Sequence, residues 1–134
     1  AYEISLGLVG SEMCIRDRNG KEAITRFSIF ENLDGYSLLK VNLETGRTHQ
    51  IRVHLSHIGY PIIGDPLYGS RNKFSRGSSE ELKKIISNFK RQALHAEELQ
   101  LNHPTSGELM SFKASMPSDM QTLLNQIKVF LNFR

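Results

Sequence analysis

Two pairs of strand-like runs, each joined by a short turn sequence, constrain the fold of this chain more than any other feature. The runs Ala23–Phe30 and Tyr36–Leu43 are rich in β-branched and aromatic residues and are separated by "ENLDG". A second pair surrounds "HPTSG" at 103–107. Strands joined as hairpins pair antiparallel, whereas parallel strands need long crossover connections. The sequence therefore predicts an α+β fold with a mixed, largely antiparallel sheet and a few flanking helices.

Three segments show the apolar period of a helix. Thr48–His57 is predicted to form a short helix that begins at Thr48. Ser79 is expected to cap a second helix and Ser118 a third, because a serine side chain accepts hydrogen bonds from the free backbone N–H groups of the first turn. The apolar stripes of these two helices are Leu82, Ile85, Ile86 and Phe89, and Met120, Leu123, Leu124, Ile127, Phe130 and Leu131.

Composition excludes several classes of protein. A chain of 134 residues with 39% hydrophobic and 23% charged residues is typical of a globular domain with its own core. The apolar runs are far shorter than the ~20 residues needed to span a bilayer, and the N-terminus lacks the pattern of a signal peptide. A cytoplasmic location is the resulting expectation. The single cysteine, Cys14, allows neither an internal disulfide nor a cysteine metal cluster.

Basic residues are concentrated in one stretch of the chain. The net charge is only +3, but residues 71–91 carry seven basic and two acidic residues, a local excess of +5. Phosphate contacts require such a cluster, so nucleic acid is the first partner to consider. A solvated helix face with a polar loop is the alternative. The basic residues are Arg71, Lys73, Arg76, Lys83, Lys84, Lys90 and Arg91.

The sequence gives little support for a metal site, a hydrolytic active site or a nucleotide-binding loop. His49 and His54 would project ~140° apart on a helix, which argues against a site that also includes His57. No "GxSxG" elbow is present, and neither "GxxxxGK[ST]" nor "GxGxxG" occurs. We therefore expect neither a three-histidine metal site nor an enzyme that depends on ATP or a dinucleotide.

The segment 43–69, "LETGRTHQIRVHLSHIGYPIIGDPLYG", contains the residues most suited to anion chemistry. Arg47, Thr48, His49 and Gln50 fall at the start of the predicted helix, where backbone N–H groups and the helix dipole favour a phosphate. Arg52 lies at the border between the apolar stripe and the surface. A guanidinium there requires a carboxylate or phosphate partner, unless it extends its head to water.

These residues stand within a recognisable pattern. The stretch "LLKVNLETGRTHQIRVHLSHIGYPIIGDPLYG" resembles the "L.TGRTHQIRVHL...G.PI.GD..YG" signature of the RluA-type RNA pseudouridine synthases. "RQALHAEELQLNHPTSGELMSFKASMPSDM" is similar to a later segment of that family, and "GKEAITRFSIFE" to the strand that precedes the signature. The resemblance covers residues 20 to about 120 in the same order.

The resemblance implies isomerisation of uridine to pseudouridine in ribosomal or transfer RNA without a cofactor. An aspartate acts at the sugar, a tyrosine stacks on the base, an arginine pairs with the aspartate and a leucine packs in the pocket. The arginine and leucine correspond to Arg52 and Leu94. RNA-binding roles are expected for Arg47, Thr48, His49, Gln50, Arg71, Lys73 and Arg76.

This sequence lacks the part of the family pattern that contains the aspartate and the tyrosine. The "RLD..TSG" motif that carries the aspartate is absent, as is the tyrosine that follows it. Asp65, in "IGDPLYG", is interpreted as a turn residue that bonds nearby backbone N–H groups. Arg52 is therefore expected to have lost its carboxylate partner, and its replacement by alanine is expected to leave stability nearly unchanged.

The N-terminus gives a further expectation. "SLGLVGSEMCIRDR" resembles a translated sequencing adapter, so residues 1–18 are interpreted as a non-native peptide and 19–134 as the C-terminal half of a catalytic domain. A genuine first strand ending at Gly10 is the alternative. We expect a monomeric fragment that is inactive alone. The rival hypotheses are a divergent isomerase that uses Asp65 and a stand-alone RNA-binding module.

Overall fold

The computed structural model describes residues 2–3, 13–17, 23–33, 35–69 and 74–132. Two antiparallel sheets and three helices make up this part of the chain, in agreement with the α+β class and with both hairpins expected. The four-stranded sheet has the order β1-β2-β3-β4, and β5 pairs with β6. The strands are β1 (Tyr2–Glu3), β2 (Met13–Asp17), β3 (Thr25–Asn32), β4 (Ser37–Leu43), β5 (Glu98–Asn102) and β6 (Leu109–Lys113), and the helices are α1 (Gln50–His57), α2 (Glu80–Asn88) and α3 (Ser118–Asn132).

The N-terminal strands fall within the segment interpreted as non-native. In β2, Cys14 pairs with Arg26 and Met13 with Phe27 of β3, and β1 pairs with β2. Residues 4–12 lie outside the described part of the chain, so the alternative of a first strand that ends at Gly10 falls largely outside it as well. The division of the chain at residue 18 stays a prediction.

The first core lies between the two longer helices. Leu82 and Ile86 of α2 pack with Leu123 and Ile127 of α3, together with Leu33 from the β3–β4 turn. This confirms the predicted apolar stripes at these positions. The Ser79 cap is also confirmed, since the Ser79 side chain accepts a hydrogen bond from the Leu82 N–H at 3.2 Å.

The second core places α1 on the first hairpin. Phe27 of β3 and Leu55 of α1 are its buried members. Leu39 and Val41 of β4 flank them because these residues share the inner face of the hairpin, where Phe27 lies opposite Val41. Ile51, Ile58 and Ile62 complete the contact. The cluster fixes α1, and with it Arg52, against the four-stranded sheet.

The turn after α1 depends on a glycine. Gly64 has a φ of 77°, in the left-handed region that side chains rarely adopt. A Cβ at this position would lie 2.1 Å from the Arg91 carbonyl oxygen. The turn is held against the segment before β5 by a hydrogen bond from the Ala93 N–H to the Ile63 carbonyl, at 2.8 Å. The left-handed conformation of Gly64 therefore determines how the backbone turns immediately before Asp65.

In the part of the chain that the structure describes, no helix is long and apolar enough to cross a membrane.

Candidate functional site

A buried glutamine ties the start of α1 to the sheet. Gln50 donates from Nε2 to the Ile24 carbonyl at 3.0 Å and to Thr25 Oγ1 at 2.9 Å. Its Oε1 accepts from Thr45 Oγ1 at 2.7 Å and from the Arg47 N–H at 3.1 Å. All the hydrogen-bonding positions of the amide are used internally. Gln50 therefore serves the interior of the fold and not an RNA-contacting surface, which corrects its sequence-based assignment.

His54 extends the same buried network. Its Nδ1 lies 2.7 Å from Thr25 Oγ1, and both side chains are almost completely buried. The Thr25 hydroxyl links Gln50 to His54, so three polar residues hold α1 to β3 in addition to the apolar cluster. Buried polar groups that satisfy one another in this way favour one orientation of the helix.

The beginning of α1 differs from the prediction. The helix begins at Gln50 and not at Thr48, and the residue before it, His49, adopts the left-handed conformation with φ 54°. No side chain caps the helix at His49. The inward Gln50 side chain accounts for this geometry, because its bond to the Arg47 N–H closes the turn that precedes the helix. Arg47, Thr48 and His49 are exposed.

Arg52 and Asp65 form a two-point ion pair at the centre of the segment. Arg52 Nε donates to Asp65 Oδ2 at 2.9 Å, and Arg52 Nη2 donates to Asp65 Oδ1 at 2.8 Å. The Asp65 side chain has no exposed surface, and the Arg52 side chain is 11% exposed. Paired donors and acceptors of this geometry fix the plane of the guanidinium as well as its position.

The expectation that Arg52 lacks a carboxylate partner within this chain is therefore wrong. Asp65 lies 13 positions after Arg52 in the sequence, and the turn at 62–65, closed by a hydrogen bond from the Asp65 N–H to the Ile62 carbonyl, precedes the contact. The interpretation of Asp65 as a turn residue is confirmed, since its Oδ1 accepts the N–H groups of Leu67 and Tyr68, both at 3.0 Å. Asp65 thus holds its own turn and Arg52 with the same carboxylate. A pairing of Arg52 with an upstream aspartate stays a prediction.

The environment of Asp65 keeps it ionised. The hydrogen bonds from Arg52, together with the Tyr68 and Leu67 N–H groups, lower the pKa of the Asp65 carboxyl from 3.8 to about 2 although burial opposes ionisation. The same hydrogen bond raises the pKa of Arg52 above its ordinary value. Both shifts favour the charged form of each partner.

Tyr68 is the member of this site that sequence reasoning did not find. The Arg52 guanidinium carbon lies 5.2 Å from the centre of the Tyr68 ring, within the range of a cation–π contact. Tyr68 Oη lies 3.1 Å from His49 Nδ1, and Ser56 Oγ donates to the Tyr68 carbonyl at 2.8 Å. Tyr68 therefore connects the exposed His49 to the buried ion pair. The available sequence signal was its place at the "GD..YG" end of the signature, three residues after the turn aspartate.

The remaining predicted site residues lie apart from this centre. Leu94 is half-buried in the segment before β5, beside Ala93, which packs on the first core. Arg76 is exposed, and Arg71 and Lys73 lie outside the described residues. Two other basic residues of the stretch are already paired: Lys83 with Glu80, and Arg91 with both oxygens of Asp119. These pairs reduce the charge that the stretch can offer to a polyanion.

Loss of either member of the buried pair should destabilise the chain. Asp65→Ala is expected to lower the free energy of unfolding by about 3–5 kcal/mol, because a guanidinium remains near the core without its carboxylate. Arg52→Ala should also destabilise, since Asp65 is then buried with only two backbone N–H partners. Urea denaturation measures both. Asp119→Ala, which removes an exposed Arg91 pair of the same geometry, is the control and should cost much less. An unchanged midpoint for Arg52→Ala would contradict the pairing.

Acid should remove part of this stabilisation. Because the pKa of Asp65 is lower in the folded chain, the carboxyl contributes about 2 kcal/mol of stability above pH 3.8, which is lost as the pH falls through about 2. The difference in unfolding free energy between the wild type and Asp65→Asn should be constant from pH 7 to 5 and shrink between pH 4 and 2. Urea midpoints at each pH measure it, and a constant difference down to pH 2 would refute the assignment.

Comparisons with known proteins agree with the motifs of this segment. A model of the family described as RNA pseudouridylate synthase matches residues 10–57, a range that begins inside the segment interpreted as non-native. "Ribosomal large subunit pseudouridine synthase D" of Haemophilus influenzae is 50% identical over 109 residues, which are 81% of this chain and 34% of that protein. The protein of the same name from Pseudomonas aeruginosa is 42% identical over 122 residues, 91% of this chain and 38% of that protein.

A solved structure shares the fold. "Human RNA Pseudouridylate Synthase Domain Containing 1" superposes with a TM-score of 0.51 at 28% identity, covering 91% of this chain and 52% of the human chain. The chain spans about a third of the length of the curated relatives that it matches. The signature segment folded around Arg52 and these relatives, in sequence and in structure, support the assignment of this chain to the RluA-type family of RNA pseudouridine synthases.

Proposed function

We propose that this chain is part of an isomerase that converts uridine to pseudouridine in ribosomal large subunit RNA. The observation that carries the proposal is the 50% identity, over 109 residues, to a protein whose name states that activity. In the reaction, the bond from the ribose to the base nitrogen breaks and a bond to a base carbon forms, so the atoms of the substrate are conserved. No other reactant is required.

We propose that Arg52 pairs with the upstream aspartate that the family resemblance implies. Asp65 occupies Nε and Nη2 of Arg52, and Nη1 has no hydrogen-bond partner among the described residues. Arg91 offers a contrast, because its Nη1 donates to the Gln92 carbonyl at 3.0 Å in addition to the Asp119 pair. The pair with Asp65 already orders the Arg52 side chain. Its guanidinium can therefore donate from the remaining edge to a second carboxylate without a further entropic cost of ordering the arginine.

Asp65 is a poor candidate for the acid of a divergent isomerase. Its carboxylate has no exposed surface, and four hydrogen bonds already occupy it. Attack at a ribose carbon requires an accessible oxygen, which Asp65 could offer only after the Arg52 pair had separated. The structure thus favours a positioning role for Asp65, and an aspartate outside this chain as the residue that acts at the sugar.

Exposed residues at the start of α1 are suited to the RNA backbone. Arg47 and Thr48 present a guanidinium and a hydroxyl to solvent, and His49 adds a ring whose Nδ1 contacts Tyr68. Arg76 lies in the loop before α2. Phosphate oxygens accept from such groups, which position an RNA without reading its sequence. We propose the same role for Arg71 and Lys73, and propose that Leu94 packs in the pocket for the base.

Large-subunit ribosomal RNA is preferred to transfer RNA as the substrate because the names of the curated relatives specify it. The stand-alone RNA-binding module remains the alternative for the chain in isolation. The monomeric state and the cytoplasmic location stay predictions.

The proposal predicts activity only when the chain is part of a whole enzyme. A chimera in which the matched part of this chain replaces the corresponding 109 residues of the Haemophilus influenzae protein should form pseudouridine in large-subunit RNA. Arg52→Ala in the chimera should reduce the rate by about a hundredfold or more, the usual cost of losing a group that stabilises charge at a reacting centre. Tritium release from 5-tritiated uridine measures both rates, and this chain alone should release none.

Arg91→Ala is the matched control, because it removes an exposed arginine that also pairs with an aspartate, and its activity should be retained. Circular dichroism shows whether each protein is folded. A folded chimera without activity would contradict the proposed function, and multiple turnovers by this chain alone would contradict the role of an aspartate outside it.

A further inference from the structure

The β5–β6 hairpin has one apolar face and one face that is polar except for Leu109, which lies opposite Asn102. Leu99 lies opposite Phe112 and Leu101 opposite Met110 in the register of the two strands. Residues directly opposite each other project to the same side of a sheet, as do alternate residues of a strand. These four side chains therefore form one continuous surface, here called the hairpin face.

The polar face of the hairpin already has partners. Glu98 accepts hydrogen bonds from Gln100 Nε2 and Ser111 Oγ, both at 3.0 Å. These bonds, and the nearby charges of Lys113 and of Lys40 in β4, lower the pKa of the Glu98 carboxyl. The polar groups of Glu98, Gln100 and Ser111 are therefore partnered within the hairpin.

The hairpin face, in contrast, is open to solvent. Leu99 is 59% exposed, Phe112 49% and Leu101 39%. Apolar and polar residues alternate along β5 and from Met110 to Lys113 of β6, which is the pattern of a sheet that is buried on one side. A two-stranded hairpin without such cover is marginally stable in water, and a contiguous exposed apolar surface marks a site of interaction.

A second uncovered region lies at the edge of the four-stranded sheet. β4 is the last strand in the order β1-β2-β3-β4, so its outer edge has no partner strand among the described residues. Phe30, at the bulge in β3, is 71% exposed, and Leu43 at the end of β4 is 46% exposed. An open strand edge together with an uncovered apolar face is the pattern expected where further strands of the same domain would pack.

The curated relatives contain the polypeptide that could provide this cover. This chain spans 34% of the Haemophilus influenzae protein and 52% of the human structure, so both contain long segments outside the shared part. We infer that the hairpin face is an internal docking surface, and that its occupant is an apolar segment of the synthase that lies outside this chain. The inference concerns assembly of the domain and does not depend on its catalytic activity.

The test uses this chain, with an affinity tag, co-expressed with the part of the Haemophilus influenzae protein outside the 109 matched residues. The two polypeptides should co-purify as a one-to-one complex. Leu99→Gln combined with Phe112→Gln should weaken the complex by about a hundredfold, since two apolar side chains lose their burial. Gln100→Ala combined with Ser111→Ala, on the polar face, is the control and should bind as the wild type does.

Because Leu99 and Phe112 are half-exposed, circular dichroism of the isolated variant should match that of the wild type. Failure of the wild type to associate would overturn the inference, as would equal association by both variants. Sedimentation of this chain alone provides the remaining outcome: a dimer disrupted by the Leu99 and Phe112 changes would mean that a second copy is the occupant. A specific but inactive complex would support the docking surface and count against the proposed function.

Discussion

The ion pair between Arg52 and Asp65 determines the arrangement of the signature segment. It joins the middle of α1 to the turn that follows the helix, and the same carboxylate holds that turn through the N–H groups of Leu67 and Tyr68. Because the Asp65 side chain is fully buried, the pair is protected from the screening that weakens surface ion pairs. Arg52, which we propose to pair with the catalytic aspartate of the family, is thus positioned by contacts within the fold.

Two kinds of contact, apolar packing and buried hydrogen bonds, hold the helix that contains Arg52. Apolar contacts of Leu55 with Phe27 place α1 on the first hairpin. The hydrogen bonds of Gln50 and His54 to Thr25 then select its rotation, because a helix turned by one residue would leave these buried groups unpaired. Burial of nonpolar side chains therefore holds α1 on the hairpin. The polar network fixes the rotation of the helix at which Arg52 contacts Asp65.

Local patterns predicted much of the fold. The stripe containing Leu123 and Ile127 and the Ser79 cap depend on neighbours within a few residues, so periodicity and capping rules were sufficient. The Asp65 turn was predicted for the same reason. The pairing of Asp65 with Arg52 was not, because it depends on a chain reversal through Gly64, and the left-handed His49 follows from the inward Gln50, which makes contacts 25 residues away. Tertiary packing decided these features.

The most direct measurement of the central claim is the exchange of the Arg52 Nε–H proton with water, observed by nitrogen-15 NMR of this chain. The account predicts a distinct Arg52 signal that exchanges at least tenfold more slowly than that of the exposed Arg47 and moves to the exposed-arginine position in Asp65→Asn. An Arg52 Nε–H that exchanges as fast as that of Arg47 would contradict it, because the guanidinium would then be free in water and not held by Asp65.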